Sequence, residues 1–490
     1  MTRVTAGFLP PIALDRHGDL PLHRQLSDWF RRAIIDGRLQ PGQRVPSTRA
    51  LAKELKISRL PVLSAYEQLF AEGYLETFVG AGTCVAQSIR GGTATAPAAT
   101  PPKPTEAPSV PRRFSRVALD MQEPPPPWLA NQGAFRVGLP ALDHFPREIW
   151  AKLVNRHVRQ MPSNQMTYDD PVGHGPFREA IAHYLATVRG VRCDASQILV
   201  TTGSQQGLLI CALALLEPGM RVWMEEPGYP GARQALQVAG AHIVPVPVDE
   251  EGLVVAEGIR RSRQARAAYI SPSHQFPLGV TMSATRRIQL LNWAARSGAW
   301  IIEDDYDSEY RLAGRPIASL QGLDSDARVI YVGTFSKVVF PALRLGYIVV
   351  PHDAMPAFES VRNAMDTFSS TLYQLVMNDF IREGHFARHI RRMRSIYMER
   401  RTALLEAIDA HLADRLGVIG AEAGMQLVAL LPPGIDDVAI SRAAAKVGVS
   451  VRPLSMCYAE PPERGGLIFG YGGASVRDIR EAVRKLKDCI

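Results

Sequence analysis

The sequence predicts an α/β chain: a small N-terminal module of helices and a hairpin, then a large domain on a mainly parallel sheet with a smaller C-terminal α/β subdomain. Two observations carry this. From residue 198 onward, five apolar β-like runs are each followed at once by a short polar motif, the pattern expected when strands alternate with helices and end on one crevice. Residues 20–86 instead show three helical patterns and two strand-like pieces split by glycines. At 490 residues the chain exceeds one ordinary domain, and 46% hydrophobic with 21% charged residues suits a folded protein.

In the N-terminal module, Leu22, Leu26, Trp29, Phe30, Ala33 and Ile34 recur every three or four residues, which puts them on one helical stripe that ends at Gly37. Pro46, Ser47 and Arg49 lead into a short helix with Leu51 and Leu55. Ser58 is placed to cap a third, which carries Val62, Tyr66 and Leu69 inward and stops at Gly73. Strand patterns at Tyr74–Val79 and Thr83–Ala86 flank Gly80-Ala81-Gly82, a hairpin wing. Beyond Gln87 the composition turns to Ala, Thr and Pro, an extended tether that cannot bury a core. The expected divisions are residues 15–88, a linker over 89–134, and 135–490.

No apolar run reaches the roughly 18–20 residues of a membrane span, and the N-terminus lacks an apolar signal core, so a cytoplasmic protein is expected. Cys84, Cys193, Cys211, Cys457 and Cys489 are scattered without metal-ligand spacing, as in a reducing compartment. The net charge of +8 favours an anionic partner.

Two helices joined by a short turn set the second in the DNA major groove, where its first residues meet base edges and phosphates. Arg59 holds that position. Arg49, at the start of the preceding helix, is within reach of a phosphate, and the wing glycines let backbone approach the duplex.

The five motifs of the large domain bring chemistry to the crevice. They are Gly203-Ser204-Gln205, Glu226-Pro227-Gly228-Tyr229, Ser271-Pro272-Ser273-His274-Gln275, Asp304-Asp305-Tyr306 and Gly333-Thr334-Phe335-Ser336-Lys337. A lysine, an aspartate, an aromatic ring and several hydroxyls in one pocket suit pyridoxal phosphate, which needs an amine for an imine, an acid on its ring nitrogen and a phosphate cradle. Lys337 is the candidate amine. Asp304 is placed for the pyridine nitrogen, Tyr306 for the phenolic oxygen and Tyr229 for stacking on the ring. Thr334, Ser336 and Arg344 suit the phosphate, as do Ser204 and Gln205 at a helix N-terminus. His274 and Gln275 can each reach the phenolic oxygen; Gln275 is preferred. The carboxylates from Glu303 to Glu309 lack the glycine spacing of a calcium loop, so no metal is expected.

Residues 39–49, then Leu51-Ala52, Ile57-Ser58-Arg59, Tyr66 and Glu72-Gly73-Tyr74-Leu75, resemble the GntR-type winged helix. The resemblance implies DNA contact by Arg49, Ser58, Arg59 and Gly82, with Pro61 and Ala81 departing from the usual threonine and basic wing residue. Tyr168-Asp169-Asp170-Pro171-x-Gly173, SPSHQFPLG, EDDYDSEYR and GTFSK resemble the fold-type-I, aspartate-aminotransferase-like domain, and the two halves together resemble the MocR family of regulators. That resemblance implies a homodimer, head to tail, with each winged helix against its partner's large domain and Tyr168 reaching the neighbouring cofactor phosphate.

Aminotransferases of this kind hold the substrate carboxylate with an arginine near the C-terminal end. The corresponding stretch here, Gly466 to Tyr471, has none; Arg452 is the nearest replacement and a candidate effector anchor. The expectation is therefore a DNA-binding regulator that senses an amino compound, or pyridoxal phosphate itself, through an imine at Lys337. The alternative is a working aminotransferase with an auxiliary N-terminal domain.

Overall fold

The computed structural model describes residues 9–16, 18–78, 82–89, 113–121, 133–311 and 317–490. These fall into two compact units, divided between Arg113 and Phe114. Most of the predicted tether, the second proline run and the wing tip with Gly80 and Ala81 lie outside the described residues.

In the first unit, helix α1 (Leu22–Ile35) buries Leu26, Phe30, Ala33 and Ile34 along the predicted stripe. Helix α2 (Thr48–Glu54) starts at Ser47, whose hydroxyl accepts from the Ala50 amide at 3.2 Å and satisfies one orphan donor of the first turn. Helix α3 (Arg59–Ala71) turns Val62, Ala65, Tyr66 and Leu69 inward. Ser58 occupies its N-cap, but the side chain makes no capping bond. Phe30 and Tyr66 meet edge to face at 5.5 Å, and the buried Tyr66 hydroxyl donates to the Pro46 carbonyl, which ties the turn before α2 to α3. Strands β1 (Leu75–Phe78) and β2 (Gly82–Val85) pair antiparallel as the wing.

The second unit carries an eight-stranded sheet, β3 to β10: Ile198–Thr201, Arg221–Glu226, His242–Asp249, Gly252–Leu253, Ala267–Ile270, Trp300–Asp305, Val329–Thr334 and Gly346–Val349. Their order is β3-β10-β9-β8-β7-β4-β5-β6. Pairs along β9-β8-β7-β4-β5 are parallel, while β10 runs antiparallel to both its neighbours. The carboxyl ends of β3, β4, β7, β8 and β9 therefore share one edge. Continuous burial along β3, β7 and β9 explains why their sequences read as unbroken apolar runs rather than alternating ones.

A second, four-stranded antiparallel sheet follows: β11 (Gly417–Ile419), β12 (Gln426–Leu430), β13 (Arg452–Pro453) and β14 (Gly466–Gly470), in the order β11-β12-β14-β13. It is the small C-terminal subdomain. The helix Val476–Leu486 packs Ile479, Val483 and Leu486 into the same core as Leu404 and Ile408 of the long helix His385–Leu412. All five cysteines are free thiols, and among the described residues no helix is long and apolar enough to cross a membrane.

Candidate functional site

The shared strand edge of the second unit opens on a cavity of about 240 Å³. Lys337, three residues past β9, and Asp304, at the carboxyl end of β8, both line it, together with Tyr306, Tyr229, Arg344 and Arg452. The Lys337 ammonium donates to the Gly138 carbonyl at 3.1 Å. Burial lowers its pKa, and Arg452 adds to this, against the pull of Asp307 and Asp304. An amine freed of its proton more easily is a better nucleophile.

Asp304 is 4% exposed. Its Oδ2 accepts from the Tyr269 hydroxyl at 2.6 Å, while Oδ1 is buried without a partner. Burial raises its carboxyl to about 6, with Tyr269 and Lys337 opposing and Asp305 and Asp307 reinforcing the rise. An orphaned buried acceptor is costly unless a donor meets it. A protonated ring nitrogen is such a donor.

At the other end, Gly203 caps the helix Ser204–Leu215 with φ +103°, and a Cβ there would lie 3.4 Å from the Arg344 guanidinium. The helix N-terminus, Ser204, Gln205, Ser336 and Arg344 thus face one part of the cavity, where amide donors and a cation suit a phosphate. Tyr229 forms a further wall, its ring edge to face with Phe276 at 5.5 Å. Among the lining residues, Arg452 lies with its guanidinium carbon 5.9 Å from the Phe276 ring centre, and its Nε is buried without a hydrogen-bond partner. Taken together, this donor set fits pyridoxal phosphate.

Two expected contacts lie elsewhere. Gln275 is outside the lining: its amide donates to the carbonyls of Pro227 at 2.8 Å and Phe276 at 2.6 Å, and its oxygen accepts from the Leu278 amide. Thr334 stands behind the wall, its hydroxyl accepting from the Ser336 amide at 3.2 Å. Tyr168, expected to reach a neighbouring subunit's cofactor, is 84% exposed and stands outside its own chain's cavity. Conversely, Tyr269, Gly138 and Gln426 belong to the site and were not singled out. Tyr269 sits in an apolar run and reads as core; the need of a buried phenol for a partner was the available signal. Gly138, with φ +75°, holds a backbone conformation that favours glycine, and a Cβ there would crowd the Lys337 ammonium.

In the first unit, Arg49, Ser58 and Arg59 are all exposed, with Leu60 beside them. The Arg59 Nε donates to the Thr48 hydroxyl at 3.1 Å, linking the starts of α2 and α3. Gly82 opens β2 with φ +83°, and its missing side chain leaves room for the Arg44 guanidinium.

The fold and cavity define a winged-helix DNA-binding protein carrying a vitamin-B6 domain. Residues 22–85 match the gntR family of bacterial regulatory proteins, and residues 135–486 match aminotransferase class I and II. The probable rhizopine catabolism regulatory protein MocR of Rhizobium meliloti is 40% identical, over 97% of this chain and 95% of its own. The pyridoxine biosynthesis transcriptional regulator PdxR of Corynebacterium glutamicum is 30% identical, over 98% of both chains. The crystal structure of the α-aminoadipate aminotransferase LysN of Thermus thermophilus, complexed with N-(5'-phosphopyridoxyl)-L-leucine, superimposes with a TM-score of 0.71 at 28% identity, covering 77% of this chain and 96% of that one. This chain belongs to the MocR-type transcriptional regulators, in which a GntR DNA-binding domain is fused to an aminotransferase-like domain of fold type I. The cofactor of the large domain is pyridoxal phosphate.

Proposed function

We propose that the chain is a cytoplasmic regulator whose large domain binds pyridoxal phosphate covalently at Lys337 and senses an amino compound, or the cofactor itself, retuning its affinity for an operator. The cofactor supplies an aldehyde to which an amine can bond, and a ring that withdraws electrons. This chain's residues do the rest. Lys337 offers the amine, Asp304 holds the ring nitrogen, Arg344 with the Ser204 helix end holds the phosphate, and Arg452 receives an effector anion.

The observation that carries the reading is the meeting of Lys337, the unpartnered Asp304 oxygen and the unpaired Arg452 Nε at one buried cavity. An arginine on the short strand β13 supports recognition of an acidic amino compound. Residues 15–88 read the duplex through Arg49, Ser58, Arg59 and the wing at Gly82, residues 89–134 tether the two domains, and residues 135–490 sense. The exposed Tyr168 supports a head-to-tail homodimer in which it reaches the neighbouring cofactor. For regulation, the effector must bind two arrangements with different affinity.

The test is absorbance of the cofactor-loaded chain together with duplex binding. The Lys337→Ala chain is expected to lose the protein-bound cofactor band, and an amine that alters the wild-type band is expected to alter operator affinity. An unchanged band in the variant removes the covalent assignment. Rapid turnover of amino donors without salt-sensitive duplex binding favours the working aminotransferase instead.

A further inference from the structure

The direction of the hydrogen bond at Tyr306 can be derived from its neighbours. The Nδ1 atom of His274 faces the Asp307 carboxylate, with Oδ1 at 2.9 Å and Oδ2 at 3.1 Å, and the Tyr306 hydroxyl at 3.0 Å. His274 and Asp307 are 3% and 2% exposed. An ionised carboxylate only accepts hydrogen bonds, so one aimed at Nδ1 with both oxygens requires a proton on that nitrogen. A protonated Nδ1 cannot accept from Tyr306. The phenol oxygen can at most share the imidazole proton as an acceptor, and its own proton must point elsewhere.

Only one direction remains. Among the described residues the Tyr306 hydroxyl has no other hydrogen-bond partner, and the side chain lines the cavity. The second ring nitrogen of His274, Nε2, is buried without a partner, so a proton placed there would lack an acceptor. Tyr306 also keeps its proton: burial first, then the carboxylates of Asp307, Asp304, Glu225 and Asp305, push its ionisation well above the ordinary range. The cations facing the same cavity are Lys337, Arg344 and Arg452. The subdomain backbone completes the arrangement at Gly424 (φ +75°), where a Cβ would collide with both the His274 ring and the Asp307 carboxylate.

We propose that His274 is a positioning residue: its Nδ1–H tautomer, held by Asp307, commits the Tyr306 phenol to donate into the cavity, onto the phenolic oxygen of the cofactor. The inference rests on the reading that pyridoxal phosphate lies beside Lys337. A donor on that oxygen stabilises its anion and so weakens the site's hold on the proton that the oxygen shares with the neighbouring nitrogen.

The experiment is a spectrophotometric pH titration of the cofactor-loaded full chain. Asparagine carries an N–H near the position of Nδ1–H, whereas glutamine places its amide near Nε2. His274→Asn is therefore expected to titrate like the wild type. His274→Gln and Tyr306→Phe are each expected to move the midpoint upward by about one pH unit, a tenfold change in proton affinity. Equal shifts in the Asn and Gln variants, or a Gln variant that titrates as wild type while Tyr306→Phe shifts, overturn the proposal. A second measurement needs no cofactor. In the ¹⁵N-histidine spectrum of the full wild-type chain, with His274→Asn identifying the signal, the proton is expected on Nδ1; a proton on Nε2 overturns the proposal even if the chain loads normally. A wild-type chain with no protein-bound band fails the cofactor reading, and the nitrogen spectrum still decides the tautomer.

Discussion

Arg49 and Arg59 of the DNA-binding unit stand exposed near the starts of their helices, and among the described residues their one side-chain hydrogen bond runs from Arg59 to Thr48. Lys337, Asp304 and Tyr306 of the large unit are walled in, each with a named partner, on a frame of strand ends and positive-φ glycines. The difference follows from the two ligands. A duplex is a long polyanion met at the surface, so solvated cations suffice and release counterions on contact. A small aromatic cofactor must exchange water for fixed dipoles at every edge, so its partners are placed before it arrives. Affinity in the first case is sensitive to salt, and in the second to a single misplaced atom.

The largest expected break in this contrast is Lys337→Ala, which abolishes the protein-bound absorption band while leaving gel-shift binding to a duplex measurable. Next comes Gly138→Ala. A side chain at φ +75° costs about 1–3 kcal/mol of backbone strain, so denaturant unfolding is expected to show the large unit less stable by about that amount. In the other unit, Arg49→Ala and Arg59→Ala each weaken duplex binding uniformly, by about tenfold at low salt, and reduce the slope of log affinity against log salt by about one. Neither alters the cofactor band. If either does, the separation of the two sites is lost.

A smaller effect concerns pH. Burial raises Glu225 and Glu303 to about 7 and Asp304 to about 6. Carboxyls raised on folding bind more protons in the native chain than in the unfolded one, so their contribution to stability is complete below about pH 4 and is lost as pH climbs through 6 to 7. The cofactor-free chain is therefore expected to melt several degrees higher, about 5 °C, at pH 5 than at pH 7.5 by calorimetry. Asp304→Asn flattens part of that dependence. Smallest of all, Ser47→Ala removes the α2 cap and costs the first unit about 1 kcal/mol in denaturant unfolding, without touching the large unit.

The polar motifs at the ends of β3, β4, β7, β8 and β9 were legible because an apolar run that gives way to glycine, proline, serine or paired aspartates marks a strand end, and strand ends of a parallel sheet converge. The helix stripe of α1 was equally plain. What escaped the sequence acts across distance. Gly138 is defined by an ammonium 199 positions away, and Gly424 by an imidazole and a carboxylate that only folding brings beneath it. Gln275 shows the reverse error. Its place in a polar motif suggested a ligand contact, but its amide is occupied by the Pro227 carbonyl 48 positions earlier and by that of its neighbour Phe276. Tyr269 was hidden by its apolar company, although its hydroxyl reaches Asp304.

The bond from Lys337 to the Gly138 carbonyl has a mechanical side. Phe135 bridges to Gly470 and Ala134 to Val449, so the segment just before Gly138 is stitched to the C-terminal sheet on one side and to the Lys337 amine on the other. An amine that entered the proposed covalent link would give up protons that this bond draws on. On that proposal, residues 134–138 lose their hold on the amine when the vitamin is in place.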